Sequence, residues 1–140
     1  MYAPNKDSSE NNESETFFRA VFDDSQDNNV QHTINVGDYN VAPEHNIDTA
    51  GYLHINNSVS RQYITSRMMT NEVTDIWRDR HPTTRSFTFD KLQKKNRTKA
   101  RLDYYLISKN TTEIVSEVYI DRTLNNSDHR PIHLHIFLLL

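Results

Sequence analysis

The chain has 140 residues, a formal charge of −3 at pH 7 and a mean hydropathy of −0.82, and it contains no cysteine. The lack of cysteine excludes disulfides and thiolate metal sites, and no apolar run reaches the ~20 residues of a membrane-spanning helix. The N-terminus also lacks the basic and apolar layout of a signal peptide, so we expect an intracellular protein, nuclear or cytoplasmic, with no membrane partner. An acidic stretch over 7–27 contrasts with a basic segment over 78–101. Charge alone favours a solvated loop for the basic segment over a phosphate-facing patch.

The first half of the chain predicts helices around one short strand. A polar, mobile segment is predicted over about 6–15, followed by a helix from Ser14 to about Asp27 with apolar residues at helical spacing. Residues 33–36 predict a short buried strand, and residues 42–57 predict a loop. Residues 58–77 predict a mostly helical region.

The second half predicts strands. Residues 87–89 form the first, followed by a basic loop or hairpin over about 90–100. Residues 101–108 alternate, with Leu102, Tyr104 and Leu106 on one face. Further strands are predicted over 113–120 and 131–138. Early helices and late strands indicate an α/β layered domain.

Two polar residues follow the first predicted strand. Asp38 and Asn40 are two positions apart, so an extended backbone points both side chains the same way. Gly37, just before them, allows a sharp turn or a close approach to a ligand. An ordinary turn that ends a strand explains the same residues, because Gly, Asp and Asn are common in turns.

A carboxylate and a histidine lie on or beside later strands. Asp103 lies within a predicted strand between large apolar neighbours, where an unpaired charge is costly and a histidine or a cation is a suitable partner. His129 ends a Ser-Asp-His sequence before the last strand, where a carboxylate of a neighbouring strand can orient its ring. Taken singly, a half-exposed carboxylate and a loop histidine explain each residue as well. His133 and His135 share one strand face without an apparent fourth ligand, so we do not predict a zinc site.

In this order, the three motifs resemble the second half of the endonuclease/exonuclease/phosphatase superfamily, which includes exonuclease III, the abasic-site endonucleases and deoxyribonuclease I. The opening segment from Tyr2 to Asn5 resembles the catalytic tyrosine segment of that family. The stretch from Thr74 through Trp77 to Phe89 is similar to the LINE-type retrotransposon endonucleases. The resemblance implies that residues 1–140 form the C-terminal half of a four-layer α/β sandwich. This half would have one mostly antiparallel mixed sheet with helices on one face.

The resemblance also implies a chemistry, which is Mg²⁺- or Mn²⁺-dependent hydrolysis of DNA phosphodiester bonds. His129, held by Asp103, would contact the scissile phosphate. Asp38 would activate the attacking water, and Asn40 would hydrogen-bond the phosphate or the nucleophile. Asp128 is expected beside the metal. Further residues are expected to hold the phosphate or to face DNA, and they are Tyr2, Asn5, Lys91, Lys94, Lys95, Arg97 and Lys99.

The chain departs from the family pattern in two ways. The Glu metal ligand and an early Asn of the family precede the tyrosine segment and are absent here, so we expect the chain alone to bind metal weakly and to be weakly active or inert. Ala100 stands where abasic-site enzymes carry an aromatic residue, which argues against abasic-site specificity.

Two other hypotheses remain open at this point. One is a phosphoesterase of the same superfamily that acts on phosphoinositides, sphingomyelin or poly(A). The other is a non-catalytic, pseudogene-like fragment that binds nucleic acid. The retrotransposon resemblance further implies a reverse transcriptase domain in the parent polyprotein.

Overall fold

The computed structural model describes residues 1, 3, 13–24, 32–55, 57–70, 73–124 and 126–138. The predictions for Tyr2, Asn5 and residues 25–27 lie outside these described residues, as does most of the predicted mobile segment.

Helices are concentrated in the first half and strands in the second, as predicted. The helices are α1 (Glu13–Asp24), α2 (His45–Asp48), α3 (Ser58–Met69) and α4 (Ile76–Arg80), with a 3-10 helix at Lys109–Ile114. The strands are β1 (Ile34–Asp38), β2 (Thr49–Ala50), β3 (Thr74–Asp75), β4 (Phe89–Gln93), β5 (Asn96–Ala100), β6 (Asp103–Ile107), β7 (Val115–Ile120) and β8 (Ile132–Ile136).

Among the described residues, the strands form three antiparallel sheets, in the orders β1-β6-β3, β2-β5-β4 and β7-β8. The N–H of Ala3 donates to the Asp38 carbonyl, and the Met1 carbonyl accepts from the Asp38 N–H, a pattern that runs parallel to β1. The α/β class with mostly antiparallel strands is therefore confirmed. The described strands form three sheets, however, where one sheet was predicted.

Two apolar clusters pack against opposite faces of β6. Tyr104 and Leu106 belong to one cluster, which includes Phe18 and Phe22 of α1 and Ile64 of α3. Ile107 belongs to the other, which includes Trp77 of α4 and the buried side of β7. The alternation predicted for residues 101–108 is confirmed, because successive side chains of β6 enter different clusters.

Several predicted elements have different bounds in the structure. Of the strand predicted over 87–89, only Phe89 belongs to a strand, β4, and the loop predicted over 42–57 contains α2 and β2. The predicted helical region over 58–77 is interrupted, because Thr74 and Asp75 pair with β6 and the Asp75 side chain then caps α4 by accepting the Arg78 N–H. Of the loop and the hairpin predicted for the basic segment, the structure has the hairpin, formed by β4 and β5 with a turn at Lys94 and Lys95. Residues 13–15 belong to the first turn of α1 and not to a mobile segment.

Candidate active site

The two carboxylates of the site lie at the same end of one strand pair. Asp38 is the last residue of β1 and Asp103 is the first residue of β6, and the two are direct partners in the antiparallel register. Opposite residues on one face of such a pair lie close together, so the strand register brings the two carboxylates to a common point.

Gly37 is required by a backbone contact beside the site. A β carbon at this position would lie 2.1 Å from the carbonyl oxygen of Met1, so a larger residue would displace the segment that runs along β1. The close approach predicted for Gly37 is therefore to the protein's own backbone.

His129 joins the two carboxylates from the loop before β8. Its Nδ1 lies 2.8 Å from Oδ2 of Asp103, and its Nε2 lies 3.9 Å from Oδ2 of Asp38. An ionised carboxylate can only accept, so Nδ1 carries the proton in this contact. The histidine is held by an isolated antiparallel bridge to Phe89 and by its backbone N–H, which donates to Ser127. The structure thus brings together Asp38, Asp103 and His129.

Thr88 is a residue of this site that the sequence analysis missed. Its buried Oγ1 accepts the backbone N–H groups of Leu102 and Asp103, at 2.9 and 3.0 Å. Its carbonyl accepts the backbone N–H of Arg130, one residue after His129. One threonine therefore connects the strand that carries Asp103 to the loop that carries His129.

The charged groups of the site influence one another. The hydrogen bond to Asp103 is the main reason that the pKa of His129 is raised above 6.5, although partial burial opposes it. Burial is the main cause that raises the pKa of Asp38 above 3.8, and the Asp103 charge adds to it. The site therefore favours a protonated imidazole and disfavours two bare carboxylates.

Asn40 has a partly structural role. It adopts a left-handed conformation with φ of 52°, and its backbone N–H donates to Oδ1 of Asp38 at 2.9 Å. Its side-chain amide donates to the Ala3 carbonyl at 2.6 Å. A cavity of about 230 Å³ lies beside Asn40 and is also lined by Tyr52 and Ala100.

A divalent cation fits the donor set of the site. Among the residues described, one group of three potential ligands has its ligand atoms within 4.8 Å of one another, and it consists of Asp38, Asp103 and His129. Carboxylate oxygens suit Mg²⁺ and Mn²⁺, and imidazole is acceptable to Mn²⁺. Asp128 lies outside this group, and its carboxylate is 3.7 Å from Nζ of Lys91.

The basic hairpin is partly neutralised by Asp90 and by Asp128, the latter through its contact with Lys91. Arg97 makes a bidentate contact with Asp90 at 2.6 and 2.8 Å, and Lys99 Nζ lies 3.6 Å from the same carboxylate. The turn residues Lys94 and Lys95 are exposed and make no ion pair with the described residues.

The comparisons with known proteins give a match only at the level of structure. No protein-family model and no curated protein sequence matches the chain. The fold is similar to that of a 3′-5′ exonuclease, NExo, from Neisseria meningitidis, with a TM-score of 0.78, 25% identity, and coverage of 97% of this chain and 59% of that chain. An AP endonuclease from Archaeoglobus fulgidus gives a TM-score of 0.75 and 21% identity over 99% of this chain and 60% of that chain.

A second structure of the Neisseria enzyme, named as a 3′ phosphatase and bound to a product DNA hairpin, gives a TM-score of 0.76 at 23% identity, with coverage of 94% of this chain and 56% of that chain. The structural neighbours are therefore DNA-processing members of the endonuclease/exonuclease/phosphatase superfamily, of the exonuclease III type, as the motifs predicted. The chain spans less than two thirds of the length of each of these neighbours. No helix among the described residues is long and apolar enough to cross a membrane.

Proposed function

We propose that the chain is part of a metal-dependent nuclease that hydrolyses phosphodiester bonds of DNA. The observation that carries this proposal is the convergence of Asp38, Asp103 and His129 at one end of the β1–β6 pair, within a fold shared with DNA-processing enzymes. Two strands and a loop that are far apart in the sequence supply these side chains. Residues of an ordinary solvated surface have no reason to converge in this way.

In the proposed mechanism, water attacks the phosphorus atom in line with the leaving oxygen, and each residue of the site has one role. Asp103 fixes the imidazole of His129, so the proton on Nε2 of the charged ring is available to a phosphate oxygen. Oδ1 of Asp38 is occupied by the Asn40 N–H, so Oδ2 is the atom that accepts the proton of the water as the new oxygen–phosphorus bond forms. The bond to the leaving sugar oxygen breaks in the same displacement. The Asp103 carboxylate would hold Mg²⁺ or Mn²⁺ beside Asp38, and the cation would supply positive charge to neutralise the phosphate oxygens.

The proposed substrate class is the target DNA of a retrotransposon endonuclease. The stretch from Thr74 to Phe89 supports this type by its resemblance to LINE-type enzymes. Ala100 is buried and lines the cavity beside Asn40. Abasic-site enzymes carry an aromatic residue at this position, so the small side chain of Ala100 argues against a pocket that binds a sugar without its base. The exposed Lys94 and Lys95 are suited to phosphate contacts, and a reverse transcriptase domain is the partner that this type implies.

The proposal includes weak activity for the 140-residue chain alone. The neighbours carry further structure that this chain does not span, and the Glu metal ligand expected from the resemblance is not in the sequence. A site with so few carboxylates neutralises a divalent cation less well than a fuller acidic set, so we expect weak binding of Mg²⁺.

The test is plasmid nicking with Mg²⁺ or Mn²⁺, by the chain and by the chain extended upstream with its native coding sequence. His129→Ala should reduce nicking by about 10²–10⁴-fold, the usual contribution of a positioned proton-transfer group. The matched control is His135→Ala, because His135 also has a carboxylate 3.4 Å away, on Glu117, but lies on an exposed strand face.

Equal nicking by the upstream-extended chain with and without the His129→Ala substitution would refute the nuclease proposal. Turnover of phosphoinositide, sphingomyelin or poly(A) in place of DNA would move the function to the phosphoesterase alternative. DNA binding that weakens steeply with salt, without metal-dependent turnover, would support the non-catalytic alternative.

A further inference from the structure

A second group of charged side chains lies entirely inside the protein, next to the active site in sequence. Arg101 is fully buried and makes a bidentate contact with Asp48, from Nε at 2.7 Å and from Nη2 at 2.9 Å. Its Nη1 lies 2.7 Å from Oδ2 of Asp75, in an ion pair without hydrogen-bond alignment. Arg78 adds a further contact to Asp48. Two arginines and two aspartates thus form a neutral buried network.

The network is continuous with the backbone that leads to Asp103. The N–H of Arg101 donates to the Asp48 carbonyl at 2.9 Å, and the next two N–H groups, of Leu102 and Asp103, donate to Thr88. Three successive backbone donors are therefore fixed by partners outside the β-ladders. The first of them depends on the segment that carries Asp48.

Arg101 also belongs to a stack of rings that connects the two catalytic strands. Its Cζ lies 5.2 Å from the ring centroids of Trp77 and Tyr104. Tyr104 stacks on Tyr39 with centroids 4.3 Å apart and an interplanar angle of 7°. Tyr104 follows Asp103 in the chain and Tyr39 follows Asp38, so the stack holds the neighbour of each carboxylate.

We infer that Arg101 is a positioning residue, which sets the orientation of Asp103 and, through it, of His129. A bidentate guanidinium held between two carboxylates and two rings has one low-energy orientation, and a lysine has no equivalent planar fork. A network that served folding alone would not need its arginine to lie two residues before the carboxylate that holds the histidine. The role rests on the proposed function, since it assigns Arg101 to the chemistry of that site.

The test reads the hydrogen bond between His129 and Asp103 directly. The ¹⁵N chemical shifts of the His129 ring, measured by NMR at a pH where the ring is neutral, report the ratio of the Nδ1–H to the Nε2–H tautomer. The native chain should favour Nδ1–H, because Asp103 accepts from that nitrogen. Arg101→Lys should lower the ratio by about tenfold or more, the change expected when a hydrogen bond to a charged group is weakened or lost.

The matched control is Arg78→Lys. Arg78 is similarly buried and also contacts Asp48 and Trp77, but it bonds the carbonyls of His81 and Thr84 and not the strand of Asp103. This variant should lower the melting temperature and leave the tautomer ratio unchanged. A general loss of stability would affect both variants alike, so the comparison isolates the positioning role.

Two results would overturn the inference. One is an unchanged tautomer ratio of His129 in Arg101→Lys, and the other is an equal fall of that ratio in Arg78→Lys. If Arg101→Lys does not fold, Asp48→Asn serves in its place with the same criterion, and failure of both to fold would assign the network to folding alone. A changed ratio without any nicking by the chain extended upstream would keep the positioning role and refute the nuclease. Nicking by that extended chain with an unchanged ratio would keep the nuclease and refute the positioning role.

Discussion

The protein contains two groups of charged side chains that differ in charge balance and in exposure. The group of Asp38, Asp103 and His129 lies at the open end of a strand pair, and its two carboxylates face one titratable base. The network of Asp48, Asp75, Arg78 and Arg101 is buried and pairs each negative charge with a permanent positive one.

The difference indicates which group is built for rigidity and which for reaction. Buried charges are tolerated when they are paired and hydrogen-bonded, and a balanced network then has one arrangement. An acidic site with a shortage of positive charge attracts a cation and holds pKa values away from their ordinary range, as Asp38 and His129 do. The inferred positioning role of Arg101 connects the two groups, because the buried arginine lies two residues before Asp103.

Breaking the buried network should have the largest effect on stability. Asp48→Ala leaves Arg78 and Arg101 without their shared carboxylate, and loss of one partner of a buried ion pair costs about 3–5 kcal/mol. Urea unfolding followed by circular dichroism measures this loss. The control is Asp79→Ala, which removes an exposed carboxylate 4.0 Å from Arg80 and should change stability by about 0.5 kcal/mol or less. Similar values for the two variants would contradict the distinction between the groups.

Removing the hydroxyl that connects the two halves of the site should have a smaller effect. Thr88→Val preserves the shape of the side chain but leaves the buried N–H groups of Leu102 and Asp103 without an acceptor, at a cost of about 1–3 kcal/mol. Thr112→Val is the matched control, because the Thr112 hydroxyl bonds a carbonyl at an exposed position. The measurement is again the free energy of unfolding. A cost no greater than that of the control would show that Thr88 is not needed to hold the strand of Asp103.

The sequence predicts the active group better than the network that supports it. The alternation over 101–108 and the cost of an unpaired Asp103 together predict a strand carboxylate with a histidine or a cation as its partner, and the superfamily resemblance selects His129. These inferences use local periodicity and motifs, which a single sequence contains. The class of fold follows from the same information.

The contacts that support the active site leave no periodicity or motif in the sequence by which they could be predicted. Asp48 and Arg101 are 53 residues apart, and Asp48 lies in a region without periodicity that predicts only a loop. Thr88 acts as an acceptor for two backbone groups, a role that any threonine could have. Asp90 neutralises Arg97 only because the basic segment folds as a hairpin that places the two side chains on facing strands. Each of these contacts depends on the tertiary fold, which brings together residues that are distant in the sequence and which local sequence patterns do not reveal.

Removing the negative charge of Asp38 from the active site should stabilise the folded protein. Burial and the neighbouring Asp103 raise the pKa of Asp38, so its negative charge is less favourable in the folded protein than in the unfolded chain. Asp38→Asn keeps the acceptor for the Asn40 N–H and removes the charge, so the midpoint of thermal unfolding at pH 7 should rise by up to a few degrees. The control is Asp23→Asn, which removes an exposed carboxylate paired with Arg67 and should produce no rise. A lower midpoint for Asp38→Asn would mean that the site needs this charge for its own stability.

The smallest effect should be the pH dependence that His129 contributes. Its pKa is raised above 6.5 in the folded protein, chiefly by the hydrogen bond to Asp103, so folding favours the protonated ring. The stabilisation is therefore complete below pH 6.5 and is lost as the pH rises from 6.5 through the raised value. Because 37% of the side chain is exposed, solvent screening keeps the change small. In denaturant unfolding from pH 5.5 to pH 9, at intervals of about half a unit, His129→Gln should remove this decline and His135→Gln should retain it. A decline of the same size in both variants would assign the pH dependence to another group and weaken the contrast between the reactive site and its buried support.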